Sequence, residues 1–339
     1  MISPFNEINE IFEIEVYPHD LINNETTKNF LNKTKEQLTD NKWPLAILFY
    51  NSPFVPQDSL FASLNSFAES IQNPFIFCIG DDLNTHDSLQ LNFVMSRHRY
   101  FEFEAKTLWE RTSKQSVDFN LTKSKKFLYA TLKDYPIRKF LLANIINSGN
   151  INAGFIGYSR KVITDYTNEL EHNNIKVKTV ADSINHLFPL PDLDTHGDWV
   201  QMDYKFRTDS YINIVTDTFF HLDPNVLFLS EKVFNAMAFG QLFMYLGPAG
   251  SLKYLRMAGY ETFSDYIDES YDEIYDPYER LLAFNKSMLQ LLAKSLGEIE
   301  HIYKQCMPRL IKNRDKLFNT NFKQSVCKDL EYAKKFKNK

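Results

Sequence analysis

Residues 211–272 read YINIVTDTFFHLDPNVLFLSEKVFNAMAFGQLFMYLGPAGSLKYLRMAGYETFSDYIDESYD, in the order strand, loop, helix, strand, glycine-bearing turn, helix. At the centre stands Ser230-Glu231-Lys232, where a helix should begin. Ser230 suits the N-cap, where a hydroxyl accepts an otherwise unpaired backbone N–H. Glu231 suits the positive end of the helix, and Lys232 does not. A cation in a first turn makes sense if an anion sits between it and the exposed N–H groups, and phosphate is the usual anion there. The plain alternative is an ordinary capped helix with an exposed lysine.

The stretch resembles the nucleotide-sugar-binding half of GT-B glycosyltransferases, in particular the fucosyltransferase-like and exostosin-like group with its phage and marine bacterial members. That group carries a T-E-K run, a helix with Ala or Ile, a Gly, an apolar strand and a Gly-Pro-type turn. The resemblance spans roughly residues 126–290. It implies that Glu231 holds the nucleotide ribose and that Lys232 faces the diphosphate. It also implies inversion at the transferred sugar. Asp217-Thr218 ends the preceding strand where relatives carry Glu-Thr, a departure at Asp217.

The rest of the chain fits an α/β reading. Leu45–Tyr50 (LAILFY) is a continuous apolar run of the kind that forms a buried parallel strand, and Phe75–Ile79 (FIFCI) is a second. Phe12–Tyr17 reads as a short strand, and 26–39 and 59–72 as helices. Tyr100–Glu104 alternates like an edge strand. Residues 105–125 are polar, which suggests a domain break. Beyond them, 126–132 and Gly154–Tyr158 read as strands around a helix that starts at Pro136, with Asp134 as a possible cap. The helices 277–303 and 308–335 close the chain. Strands alternating with helices give two Rossmann-like domains facing a cleft, with the last helix crossing back to the first. The expected divisions are an acceptor-side domain over 1–120, a nucleotide-sugar domain over 121–305 and a basic C-terminal helix over 306–339.

Arg138 falls in the first turn of the helix after the 126–132 strand. A guanidinium there opposes the helix dipole, and a bound diphosphate would reverse that through two parallel hydrogen bonds. The resemblance places a diphosphate-contacting Arg at this point; the plain alternative is a surface arginine. Gly247-Pro248-Ala249-Gly250 forms a tight turn into a helix capped by Ser251, and Gly247 could let the backbone approach a ligand. Residues 261–279 hold eight Asp/Glu and no Lys/Arg, and these read as solvated carboxylates around packing residues Phe263, Tyr266, Ile267 and Tyr271, with Asp268 and Glu269 as candidates to reach the cleft. The general base should come from the first domain, and Asp82, Asp81 and His86 follow the FIFCI strand at cleft height.

Other chemistries fit less well. No GxxxxGK[ST], early GxGxxG or GxSxG occurs. Asp192-Leu193-Asp194 has the DxD form of metal-dependent sugar transferases but sits in a proline-rich loop. The expected reaction is therefore metal-independent, with no cofactor beyond the nucleotide-sugar donor. The acceptor is a glycan hydroxyl or, as a second choice, a modified base in phage DNA. A net charge of −5 gives no bulk attraction to DNA, yet residues 301–339 hold eleven Lys/Arg against three Asp/Glu, a net +8. A solvated helix face is the plain reading of that tail. Three cysteines without a CxxC pair, no apolar leader and no run long enough to span a membrane point to a cytoplasmic protein.

Overall fold

The computed structural model describes residues 12–16, 24–38, 45–49, 58–79, 94–97, 117–131, 135–158, 204–218, 220–221 and 229–320, with single positions between 102 and 110 and between 324 and 334. The chain divides into two units. One comprises Met1–Glu104, Asn225–Phe228 and Thr320–Lys339, and the other Ala105–Pro224 and Leu229–Asn319.

In the first unit, β1 (Phe12–Val16), β2 (Leu45–Phe49), β3 (Phe75–Ile79) and β4 (Val94–Arg97) form one parallel sheet in chain order. The helices α1 (Asn24–Gln37) and α2 (Asp58–Ser70) pack on each other. That is what right-handed crossovers demand when strands are laid down in one direction, because every helix then falls on the same face. Phe61, Leu64, Phe67, Ala68 and Ile71 of α2 and its exit are buried, and Phe67 meets Phe75 of β3 edge-on with ring centroids 5.5 Å apart. The fourth described strand is VMSR; of the expected edge strand Tyr100–Glu104 only Glu102 is among the described residues, and it is helical.

The second unit is also a parallel sheet, in the order β6-β5-β7-β8. Its strands are β5 (Lys125–Thr131), β6 (Gly154–Tyr158), β7 (Ser210–Thr216) and β8 (Leu242–Leu246). All of β7 and β8 is buried, as a strand covered on both faces must be. The helices are α3 (Pro136–Asn147), α4 (Tyr204–Thr208), α5 (Glu231–Ala238), α6 (Ser251–Met257), α7 (Pro277–Leu292) and α8 (Leu296–Asn319). The chain runs outward from β5 to β6, then returns to the other side of β5 for β7 and β8. Right-handed crossovers therefore put α3 and α5 on opposite faces, and α3 packs with α7 while α5 packs with α8.

Two helix boundaries differ from expectation. The helix from 277 stops at Leu292, and α8 starts at 296 and runs through Pro308. Ser295 and Glu298 form a capping box. The Ser295 N–H donates to Glu298 Oε2 at 2.7 Å, and the Glu298 N–H to Ser295 Oγ at 3.3 Å. Basic residues of α8 are used inside this unit. Arg309 pairs with Asp265 and Lys312 with Glu261, while Arg314 donates to the Ala238 carbonyl at 3.1 Å.

Candidate functional site

In an open parallel sheet, ligands bind beyond the carboxyl ends of the strands where the strand order reverses. In the second unit that point lies between β5 and β7. Arg138 is there. Pro136 opens α3 with its preset φ, and Tyr135 stands at the N-cap with extended backbone and no side-chain cap. Asp134, the expected cap, lies outside the described residues. The Arg138 side chain crosses from α3 to the end of β7. Its Nε donates to Thr216 Oγ1 at 3.2 Å, and its Nη2 to the Thr216 carbonyl at 3.2 Å and to Thr218 Oγ1 at 3.5 Å. The guanidinium lies 4.9 Å from the Tyr135 ring centroid, and the Tyr129 hydroxyl donates to the Arg138 carbonyl at 3.0 Å. Arg138 is 4% exposed, so a surface arginine is excluded.

Ser230, Glu231 and Lys232 open α5, but not in the expected way. Ser230 occupies the N-cap with extended backbone, yet its hydroxyl caps no helix N–H. It accepts a long hydrogen bond, 3.5 Å, from Lys232 Nζ instead. Lys232 Nζ also donates to Glu231 Oε1 at 2.7 Å. Desolvation pulls the lysine pKa down, but the Glu231 and Asp217 carboxylates outweigh it and hold the ammonium above its usual value; Arg138 opposes them. So Lys232 is not an uncompensated first-turn cation. Its side chain is 37% exposed, against 12% for Glu231.

Asp217 is 2% exposed and accepts from the Tyr245 hydroxyl at 2.7 Å, which ties the ends of β7 and β8 together. Burial, with the Asp217 carboxylate beside it, pushes the Tyr245 phenol well above its usual pKa, so it stays a donor. The chain thus brings Arg138, Thr218, Asp217, Ser230, Glu231 and Lys232 to one edge of one sheet. Thr216, Tyr245 and Tyr135 join them and escaped the sequence reading. The polar run Thr216-Asp217-Thr218 at the end of an apolar strand was the visible signal for Thr216. Asp81, Asp82, His86, Asp192 and Asp194 lie outside the described residues.

Gly247 has a packing reason to be glycine. A Cβ there would meet Ser251 Oγ and the Tyr245 ring, each at 2.7 Å. The next helix, α6, is capped neither by Ser251 nor by an open anion site. Its N-cap is Gly250 at φ 83°, and the Asp272 carboxylate accepts from the N–H groups of Leu252 and Lys253 at 2.9 and 3.0 Å. The acidic segment is therefore not a row of solvated carboxylates. Asp272 is 2% exposed, and buried Glu269 accepts from the Phe263 N–H, Thr262 Oγ1 and Arg256 at 2.7, 2.8 and 3.0 Å. Phe263, Ile267 and Tyr271 are buried as expected. Among the described residues, no three of His, Cys, Asp and Glu are grouped to hold a metal ion, and no helix is long and apolar enough to cross a membrane.

No protein-family model matches the chain, and no curated protein matches it. A solved structure, described as trehalose-6-phosphate from E. coli bound with UDP-2-fluoro glucose, aligns over 94% of this chain and 72% of its own at 14% identity, with a TM-score of 0.46. At that identity and score the likeness assigns no role to any residue.

Proposed function

We propose that the chain is a glycosyltransferase of the GT-B type. It moves a sugar from a nucleotide-sugar donor to an acceptor hydroxyl, without a metal and with inversion. The observation that carries this reading is the buried guanidinium of Arg138, held by Thr216 and Thr218 at the strand-order reversal. A buried cation at that point of a doubly wound sheet suits a diphosphate. Lys232 from the first turn of α5 adds a second cation on the same edge, and Glu231 beside it offers a carboxylate to the ribose. Fixed positive charge and the helix N-terminus would then stabilise the departing nucleoside diphosphate, as a divalent ion does elsewhere. The base that deprotonates the acceptor comes in this reading from the other unit, with Asp82, Asp81 and His86 as the candidates. The T-E-K-like run favours the fucosyltransferase-like and exostosin-like group, and the acceptor is a glycan rather than phage DNA. The five cations Lys304, Arg309, Lys312, Arg314 and Lys316 already have partners in the second unit, which lowers the charge left for a polyanion.

One observation favours a second reading, a nucleotide-binding protein that transfers nothing. Both carboxylates of the described site are engaged, Asp217 by Tyr245 and Glu231 by Lys232, so neither is poised as a base. Calorimetry with GDP, UDP, ADP and CMP, followed by hydrolysis of a nucleotide-sugar panel with and without EDTA, separates the readings. Binding with EDTA-resistant turnover supports transfer, and binding without turnover supports the second reading. No binding by folded protein defeats both. Turnover abolished by EDTA and restored by magnesium or manganese moves leaving-group stabilisation to a metal.

A further inference from the structure

Arg280 is 1% exposed, in the first turn of α7. The helix does not need it there. Asp276 already caps α7, accepting from the N–H groups of Tyr278 and Glu279 at 2.9 and 2.8 Å. Among the described residues no carboxylate lies within ion-pair distance of Arg280, and its Nε makes no hydrogen bond. Its fork is spent on backbone carbonyls. Nη1 donates to Ile274 and Tyr275, at 2.5 and 3.0 Å, and Nη2 donates to Phe220. The first two belong to the segment leading into α7 and are local. Phe220 is sixty residues away in sequence and two residues beyond Thr218, where Arg138 binds. Burying a guanidinium is costly unless its hydrogen bonds are made, and here one of them reaches the outgoing end of β7.

We propose that Arg280 is a positioning residue for the candidate donor edge. It clamps the backbone at Phe220 to the Ile274–Tyr275 corner and so fixes where Thr218 meets Arg138. This rests on the donor-site reading above, but the clamp itself is a separate claim about the free protein. Lysine at this position keeps the charge and the apolar stem, but a single ammonium lacks the planar fork that serves both segments at once.

The test is Arg280→Lys in the full chain, with Arg309→Ala, whose side chain pairs with Asp265, as control. Amide hydrogen exchange in peptides covering 216–221 should speed at least tenfold, with β5 and β8 unchanged. Affinity for whichever of GDP, UDP, ADP or CMP the parent binds should fall at least tenfold, and Arg309→Ala should change neither. Unchanged exchange at 216–221 in folded Arg280→Lys overturns the clamp. Faster exchange with parental affinity overturns its role at the site. If the parent binds none of the four nucleotides, the donor reading fails while the exchange result still decides the clamp. Should Arg280→Lys not fold, the parent decides. Nucleotide must slow exchange at 216–221 and 274–276 together, and slowing at only one segment overturns the coupling.

Discussion

The two sheets are built from the same parts and differ in one respect, the direction in which strands are added. In the first unit the described strands follow one another, 1-2-3-4, and the helices α1 and α2 pack side by side. In the second the chain reverses across β5, so its connecting helices fall on opposite faces and their starts converge on the gap between β5 and β7. Parallel strands and right-handed crossovers alone do not make a ligand site; a reversal does, because it separates neighbouring crossovers. Arg138, Thr216, Thr218, Asp217 and Lys232 gather at the reversal. Nothing in the described part of the first sheet corresponds to it.

The comparison can be broken by experiment. Arg138→Ala should cost the most, at least a hundredfold in nucleotide affinity. It removes about 1.5–3 kcal/mol for each charge-assisted contact to a phosphate and leaves the Thr216 carbonyl without its donor. Calorimetry reads this, and parental affinity in Arg138→Ala would move the site away from the reversal. Lys232→Ala should weaken binding by roughly 1.5–3 kcal/mol, while Lys253→Ala, next to the Asp272 cap on α6, should not. Equal behaviour of the two variants makes Lys232 a plain helix residue. Asp272→Ala should lower stability by about 1–2 kcal/mol through the lost cap on α6 and leave nucleotide affinity intact. A loss of affinity larger than the loss of stability would bring the acidic segment into the site.

The smallest expected effect concerns pH. Lys123, 1% exposed, precedes β5 and donates to the Thr208 carbonyl at 2.5 Å. Burial lowers its pKa to about 8, with Asp209 and Asp118 opposing. Above pH 8 the folded protein therefore holds fewer protons here than the unfolded chain, which keeps its lysine charged to about pH 10.4. Stability of the second unit should rise by about 1 kcal/mol between pH 8 and 9. Urea unfolding, followed by exchange of β5 and β7 amides, measures it. Lys123→Met should flatten the rise, and an unchanged slope in that variant would assign it to other groups.

Much of the scaffold was legible because its signals are local. FIFCI and GFIGY are strands at their expected bounds, and Pro136 opens α3 where a proline belongs. VMSR was not legible, since four residues with one polar and one charged member show no apolar run. The break between α7 and α8 could have been found, because Ser295-x-x-Glu298 is a capping-box pattern. Pro308 drew the boundary instead, although a proline removes only one helix hydrogen bond and packing can carry the helix through. At the site, the first-turn cations Arg138 and Lys232 stood out in the sequence, as did Ser230, Glu231 and Thr218 that they meet, but Thr216 did not. Thr216 lies 78 residues from Arg138, and the Asp272 cap 20 residues from Leu252. Such contacts depend on which strands become neighbours, and no short window records that.

The bond between Tyr245 and Asp217 has a consequence for how this chain can change over generations. At 2.7 Å, with both groups buried, the contact is matched to one pair of side-chain lengths. Losing the phenol alone takes a hydrogen bond from a buried carboxylate, and losing the carboxylate alone takes one from a buried hydroxyl. A lineage that drifts at one of these positions must drift at the other, so in any set of descendants the two should be inherited as a pair.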